Sequence, residues 1–218
     1  MDCTPGKTSA PRIGVMGGSF DPIHCGHIAA AEEAAERMWF DRLILVPTGV
    51  PPHKPTGTHA SAGHRLAMVR AAVEGHAVIE ASDIETRRAG TSYTVDTLRA
   101  LAAELPEGTE ISLLVGTDAV RDLPTWRDVN GIFELAHPVV IQRPGDERID
   151  WESLDDELPD GIGKRLCECI IKLANGIAMS STQVRTAIAR GEPTSGMVPG
   201  PVARYIEEHG LYRDPGSP

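Results

Sequence analysis

Ile13-Gly14-Val15-Met16-Gly17-Gly18 opens a stretch that Leu43-Ile44-Leu45-Val46-Pro47 closes, with Ile28, Ala31, Ala35 and Met38 between them. The first run is short, apolar and ends in two glycines, which reads as a buried strand entering a turn. The middle residues recur at steps of three and four, the period of one apolar helix face. The last run is a second buried strand stopped by proline. The reading is therefore strand, helix, strand.

The same alternation continues outward. A loop rich in Pro, Gly, Thr and His runs from Pro47 to about Ala62. Leu66, Val69 and Val73 mark a helix, Val78-Ile79 a third strand, and Val95, Leu98, Leu101 and Leu105 another helix. Ile111 to Val115 reads as strand four and Val139 to Ile141 as strand five. Strands that are apolar throughout, rather than alternating, need cover on both faces, which is the state of a parallel sheet. The expectation is a doubly wound α/β domain over residues 12–212 with a small C-terminal helical part. Ligands of such sheets bind beyond the carboxyl ends of the strands, so the loops after strands one, two and four should carry the chemistry. Residues 145–163 are acidic and read as a loop or insertion. A last strand is expected near Ile170 to Leu173 or Ile177, then a helix with Val184 and Ile188 and a final one with Val202, Tyr205 and Ile206.

Composition narrows the function. The 218 residues carry 31 acidic and 21 basic side chains, a formal charge of −10, and 41% are hydrophobic. That apolar fraction supports a packed core and excludes a disordered chain. No basic stripe offsets the acidic balance, so nucleic acid is not an expected partner. No apolar run reaches the roughly 18 residues a membrane helix needs, so no membrane partner is expected either. Residues 1–11 lack the apolar core of a secretory signal and read as a loose tail, as do 213–218. Cys3, Cys25, Cys167 and Cys169 form no paired C-x-x-C spacing, which suits a reducing cytoplasm. Cys167 and Cys169 have no third or fourth metal ligand nearby in sequence, and no metal-ligating residues are expected. Gly6-Lys7-Thr8 lacks the preceding strand and spacing of a P-loop, and Gly161-Ile162-Gly163 lacks the third glycine of a dinucleotide fingerprint. The sequence leaves a homo-oligomer open.

The segment Gly17-Gly18-Ser19-Phe20-Asp21-Pro22-Ile23-His24-Cys25-Gly26-His27 is the chemical candidate. Glycines without Cβ let a ligand lie against the backbone at the strand end. His24 and His27 are three apart at a helix start and share a face. Free amides and the positive end of the helix dipole favour a polyphosphate there, and Gly26 leaves room for one. The alternatives are a tight turn with two surface histidines, or a metal pair. The coincidence of glycines, strand end and helix start favours phosphate. Asp21 reads equally as a brace for the turn or a ligand contact.

This segment resembles the signature of the nucleotidylyltransferase superfamily, whose H-x-G-H pair holds ATP phosphates. Pro51-Pro52-His53-Lys54, Ser92-Tyr93-Thr94-Val95-Asp96-Thr97-Leu98, Gly116-Thr117-Asp118 with Leu123 and Trp126, Arg143-Pro144-Gly145 and Ser180-Ser181-Thr182-Gln183-Val184-Arg185 extend the likeness. Together they resemble the bacterial nicotinate mononucleotide adenylyltransferases over about Arg12 to Tyr212. The resemblance implies a Rossmann-like nucleotidyltransferase fold and transfer of the ATP adenylyl group to nicotinate mononucleotide, in NAD biosynthesis. It implies His24, His27, Lys54 and Arg185 as catalytic residues. Gly17, Gly18, Ser19, Phe20, Gly116, Asp118, Ser181 and Thr182 would bind ATP, and Tyr93, Thr94 and Trp126 the mononucleotide. Mg²⁺ would be bound through the ATP phosphates.

The remaining segments have their own physical reading. Ser180-x-x-Gln183 is a capping box, which makes Ser180 a helix N-cap, with Arg185 on the face of Ser181. The alternative is an ordinary capped helix with a solvated arginine. Lys54 on a loop suits a compact charge that follows a moving phosphate, and otherwise is a solubilising lysine. Tyr93 and Trp126 are either core or a stacking wall for an aromatic ring; the resemblance implies that backbone amides near the tryptophan, with Thr94, help hold the nicotinate carboxylate. Asp118 suits a ribose diol or a helix cap. Asp96 and Arg99 read as a surface pair. In an acidic chain the site must be a local positive island, which His24, His27, Lys54 and Arg185 would supply.

Overall fold

The structure is a computed structural model, and it describes residues 10–52, 58–146, 148–159, 161–174, 177 and 179–213. In chain order the elements are β1 (Arg12–Gly18), α1 (Cys25–Met38), β2 (Arg42–Pro47), α2 (Ala62–Val73), β3 (Ile79–Ala81), α3 (Thr94–Glu104) and β4 (Glu110–Gly116). There follow α4 (Thr117–Asp122), a 3₁₀ turn (Leu123–Thr125), α5 (Val129–Leu135), β5 (His137–Gln142), α6 (Trp151–Glu157), α7 (Ile162–Glu168), β6 (Ile170–Lys172), α8 (Ser181–Ala189) and α9 (Gly200–Glu208).

The six strands form one sheet in the order β3-β2-β1-β4-β5-β6, and every neighbouring pair is parallel. The reason lies in the period of two along apolar strands. Leu43 and Leu45 enter one core and Ile44 and Val46 the other, as Leu114 opposes Leu113 and Val115. Helices α1, α2, α8 and α9 cover the first face; α3 to α7 cover the second. Gly14 is part of this packing, because a Cβ there would stand 2.7 Å from the Phe40 ring.

β1 lies between β2 and β4, so the chain leaves β1 and β4 in opposite directions along the sheet. Their loops part at the carboxyl ends and open a crevice, the place where such sheets hold ligands. The doubly wound parallel architecture expected from sequence is the one observed. Differences lie in the short elements. Residues 145–163 are not simply a loop, since they contain α6 and lead into α7. α6 is acidic and contributes only Leu154 to the core, so no apolar period marks it. α4 and α5, six and seven residues long, are likewise too short to show a period. The last strand is Ile170–Lys172 and excludes Ile177. The Pro11 carbonyl accepts from the Glu110 amide at 2.8 Å, one residue before β1 begins. Among the described residues no helix is long and apolar enough to cross a membrane.

Candidate active site

At the end of β1, Gly17 faces open space, since a Cβ there would meet nothing within 4 Å. The chain then turns through Phe20 at φ +46°, in the left-handed region, with its ring buried edge-on to His27 at 5.0 Å. Only the Phe20 backbone is therefore available to a ligand. Gly18 lies under this ring: its Cβ would stand 3.2 Å from it.

His24 is the N-cap of α1, and the two histidines cap each other. The His27 amide donates to His24 Nδ1 and the His24 amide to His27 Nδ1, both at 3.3 Å. Their rings stack 3.6 Å apart. A ring nitrogen that accepts a hydrogen bond carries no proton, so in each neutral imidazole the proton sits on Nε2. Burial, and then the charge of Arg143, pushes the His24 pKa down to about 4. Burial holds His27 well below its usual value, with His24 and Arg143 adding to the effect. At neutral pH the pair is thus uncharged. It offers two fixed Nε2–H donors, not the positive island expected from sequence. Gly26 is also not an empty seat for phosphate. A Cβ there would stand 2.9 Å from the Ile177 carbonyl, so the glycine admits that backbone.

The N-terminus of α8 docks on the same turn. Ser180 caps it through the expected box, with the Gln183 amide donating to Ser180 Oγ at 3.2 Å and the Ser180 amide to Gln183 Oε1 at 2.7 Å. Ser181 Oγ donates to the Pro22 carbonyl at 2.9 Å, and Arg185 Nη1 to the Asp21 carbonyl at 2.7 Å. Residues 159 and 164 positions apart in sequence thereby meet within three residues of His24. Arg185 Nη2 also donates to Thr182 Oγ1 at 3.1 Å, and Thr182 is exposed. Asp21 is buried and braces the turn: its carboxylate accepts from the His59 and Ala60 amides and from the Tyr212 hydroxyl. Lys54 and His53 lie outside the described residues.

Arg143, directly after β5, is a cation whose charge acts on both imidazoles, and it was given no role from sequence. Asp118 faces it, Oδ1 to Nη2 at 3.4 Å, and the Asp146 carboxylate pairs with Arg143 Nε at 3.5 Å and accepts from the Arg143 amide at 2.9 Å. Asp118 therefore pairs with a guanidinium here, while its side chain remains 75% exposed. Gly116 admits it, since a Cβ there would meet Asp118 Oδ1 at 2.6 Å. An arginine directly after an apolar strand of a parallel sheet was the available signal.

Beside the histidines a cavity of about 390 Å³ opens at the ends of β1, β2 and β4. Tyr93, Thr94 and Trp126 line it, together with Gly17, Ser19 and Gly116. Arg127 lies over the Tyr93 ring at 4.7 Å. α3 begins at Thr94, a residue of the cavity wall, with Tyr93 as a cap that makes no side-chain hydrogen bond; the Asp96 amide donates back to the Tyr93 carbonyl at 3.1 Å. The Trp126 amide donates to the Leu123 carbonyl at 2.9 Å. Buried Glu85 was not foreseen; it accepts from Thr97 Oγ1 at 2.7 Å and from the Gly49 amide at 3.4 Å, closing the cavity wall. Asp96 and Arg99 do pair, at 3.6 Å. Among the described residues no three His, Cys, Asp or Glu side chains converge on a point that would hold a metal ion, so these residues offer no protein cage for Mg²⁺.

The family described as cytidylyltransferase-like matches residues 15–187. A relative from Dehalococcoides mccartyi, named a probable nicotinate-nucleotide adenylyltransferase, is 40% identical over 202 residues, 92% of this chain and 97% of the relative. One of the same name from Desulfitobacterium hafniense is also 40% identical over 202 residues, covering 93% and 96%. Among solved structures, the Plasmodium falciparum nicotinic acid mononucleotide adenylyltransferase complexed with NaAD superposes with a TM-score of 0.71 at 20% identity, covering 93% of this chain and 97% of that one. It shares the fold. On the family match and on relatives this similar over almost their whole length, the chain belongs to the cytidylyltransferase-like family and, within it, to the nicotinate-nucleotide adenylyltransferases.

Proposed function

We propose that this protein joins ATP and nicotinate mononucleotide to give nicotinate adenine dinucleotide and pyrophosphate. The observation that carries the reading is that one turn joins two features: Gly17–Ser19, where it begins, line an aromatic-walled cavity, and its end carries the reciprocally capped histidine pair with α8 docked on the residues before it. A ring-bearing mononucleotide in the cavity and a triphosphate at the histidines and α8 would meet at the glycines.

The attacking group, the mononucleotide phosphate, is already an anion. No general base is required, and a histidine with a pKa near 4 is a poor one at neutral pH. Catalysis is then positioning and charge stabilisation around an in-line displacement at the α-phosphorus. The Nε2–H groups of His24 and His27 would donate to phosphate oxygens, with His27 serving the departing pyrophosphate. Arg185, Arg143 and Lys54 would supply positive charge. Mg²⁺ would arrive on the polyphosphate, with water filling most of its remaining positions. The positive dipole end of α3 at Thr94, which lines the cavity, and the guanidinium of Arg127 favour an anionic nicotinate over its amide. Free thiols at Cys25 and Cys167 support a reducing, cytoplasmic setting.

The test is pyrophosphate release from ATP with nicotinate mononucleotide, nicotinamide mononucleotide or 4′-phosphopantetheine as acceptor. The nicotinate form should be the fastest. Faster turnover with phosphopantetheine, or release that needs no acceptor, would overturn the reading.

A further inference from the structure

We propose that Arg65 is a positioning residue that sets the peptide orientation of the ATP-facing turn, a role that rests on the adenylyl-transfer reading above. Arg65 lies on the apolar face of α2, in register with Met68, Val69 and Ala72. It is 0% exposed. Its planar fork donates to three carbonyls: Nη1 to Ser19 at 2.7 Å, Nη2 to Gly49 at 3.0 Å and Nε to Ala60 at 3.2 Å. One guanidinium thus ties the turn after β1, the turn after β2 and the approach to α2. Burial lowers its pKa, and the negative charges of Asp21 and Glu85 offset part of that loss.

Desolvating a guanidinium is costly, and an apolar side chain of similar volume on this face would serve packing at least as well. What an apolar side chain cannot do is orient peptides. In a planar trans peptide the C=O and the following N–H point to opposite edges. With the Ser19 carbonyl drawn onto Arg65, the Phe20 N–H faces the other way. Phe20 is the residue held at φ +46°, a conformation that needs outside restraint in a non-glycine residue. The same geometry at Gly49 turns the Val50 N–H away from the guanidinium. Gly49 is fixed from its other side as well, its amide donating to Ser92 Oγ at 3.2 Å. Released from Arg65, the Ser19 carbonyl would be free to present its negative end to a polyphosphate.

The discriminating variant is Arg65→Lys, which keeps the charge and loses the three-pronged fork. At a temperature where circular dichroism shows it folded, kcat at saturating substrates should fall about 10²-fold, the scale of a small misplacement at a reacting centre. A folded Arg65→Lys protein whose kcat stays within about threefold of the parent would overturn the proposal, because a purely structural role would leave saturated turnover intact. The unaltered protein gives a second test. On titration with inorganic tripolyphosphate the Phe20 amide resonance should be among those that shift most. A Phe20 amide that stays fixed at saturation, while the His24 and His27 resonances move, would overturn it equally. Failure of the parent reading would show differently, as absence of pyrophosphate release from the unaltered protein, whatever the Phe20 amide does.

Discussion

Replacing His24 by Asn removes a titratable ring and keeps the helix cap, because Asn accepts from the N3 amide as readily as any cap residue. His24 is 2% exposed, and folding lowers its pKa from 6.5 to about 4. The unfolded chain therefore binds a proton that the fold refuses, and acid favours unfolding. At about 1.4 kcal/mol per pKa unit the full effect is roughly 3 kcal/mol, absent above pH 6.5, growing as pH falls and complete below about pH 4. Between about pH 7 and 4.5 the parent should lose roughly 2–2.5 kcal/mol more stability than His24→Asn. Urea denaturation of the two proteins at both pH values measures that difference, and titrating groups that do not interact with His24 cancel between them. Parallel losses, equal within about 0.5 kcal/mol, would refute the neutral buried imidazole.

Other consequences are as direct. His27→Ala should lower kcat by about 10²–10³, the scale of removing one donor used in a transition state, with the circular dichroism spectrum unchanged; near-parental turnover would remove His27 from the mechanism. Gly26→Ala should cost about 1–3 kcal/mol in denaturant stability, because its Cβ would press on the Ile177 backbone oxygen at 2.9 Å; an unchanged midpoint would contradict the packing role. Tyr212→Phe deletes the 2.9 Å hydroxyl donation to Asp21 Oδ1 and should cost about 1.5–3 kcal/mol by the same assay.

The sheet was legible in the sequence because its strands are apolar at consecutive positions, a pattern that only two-sided burial sustains. The histidine turn was legible because glycines, a strand end and a helix start coincide within eleven residues. The charge state of the histidines was not. Neutrality comes from burial and from Arg143, which lies more than a hundred residues away and approaches only when β5 takes its place beyond β4. The purpose of Gly26 was misread for the same reason, since its neighbour Ile177 belongs to another segment. Arg65 left a trace that a single-residue scan overlooks: a charged side chain on the apolar period of α2. Glu85 left none, because its role depends on a loop partner, Gly49, that the period of no element predicts.

The central claim is transfer of an intact adenylyl group to nicotinate mononucleotide. It is tested most directly by following ATP labelled at either the α- or the γ-phosphorus in the presence of that acceptor. The account requires the α-label in an adenine dinucleotide and the γ-label in pyrophosphate. An α-label that remains in ADP, with the γ-label in orthophosphate, would contradict it.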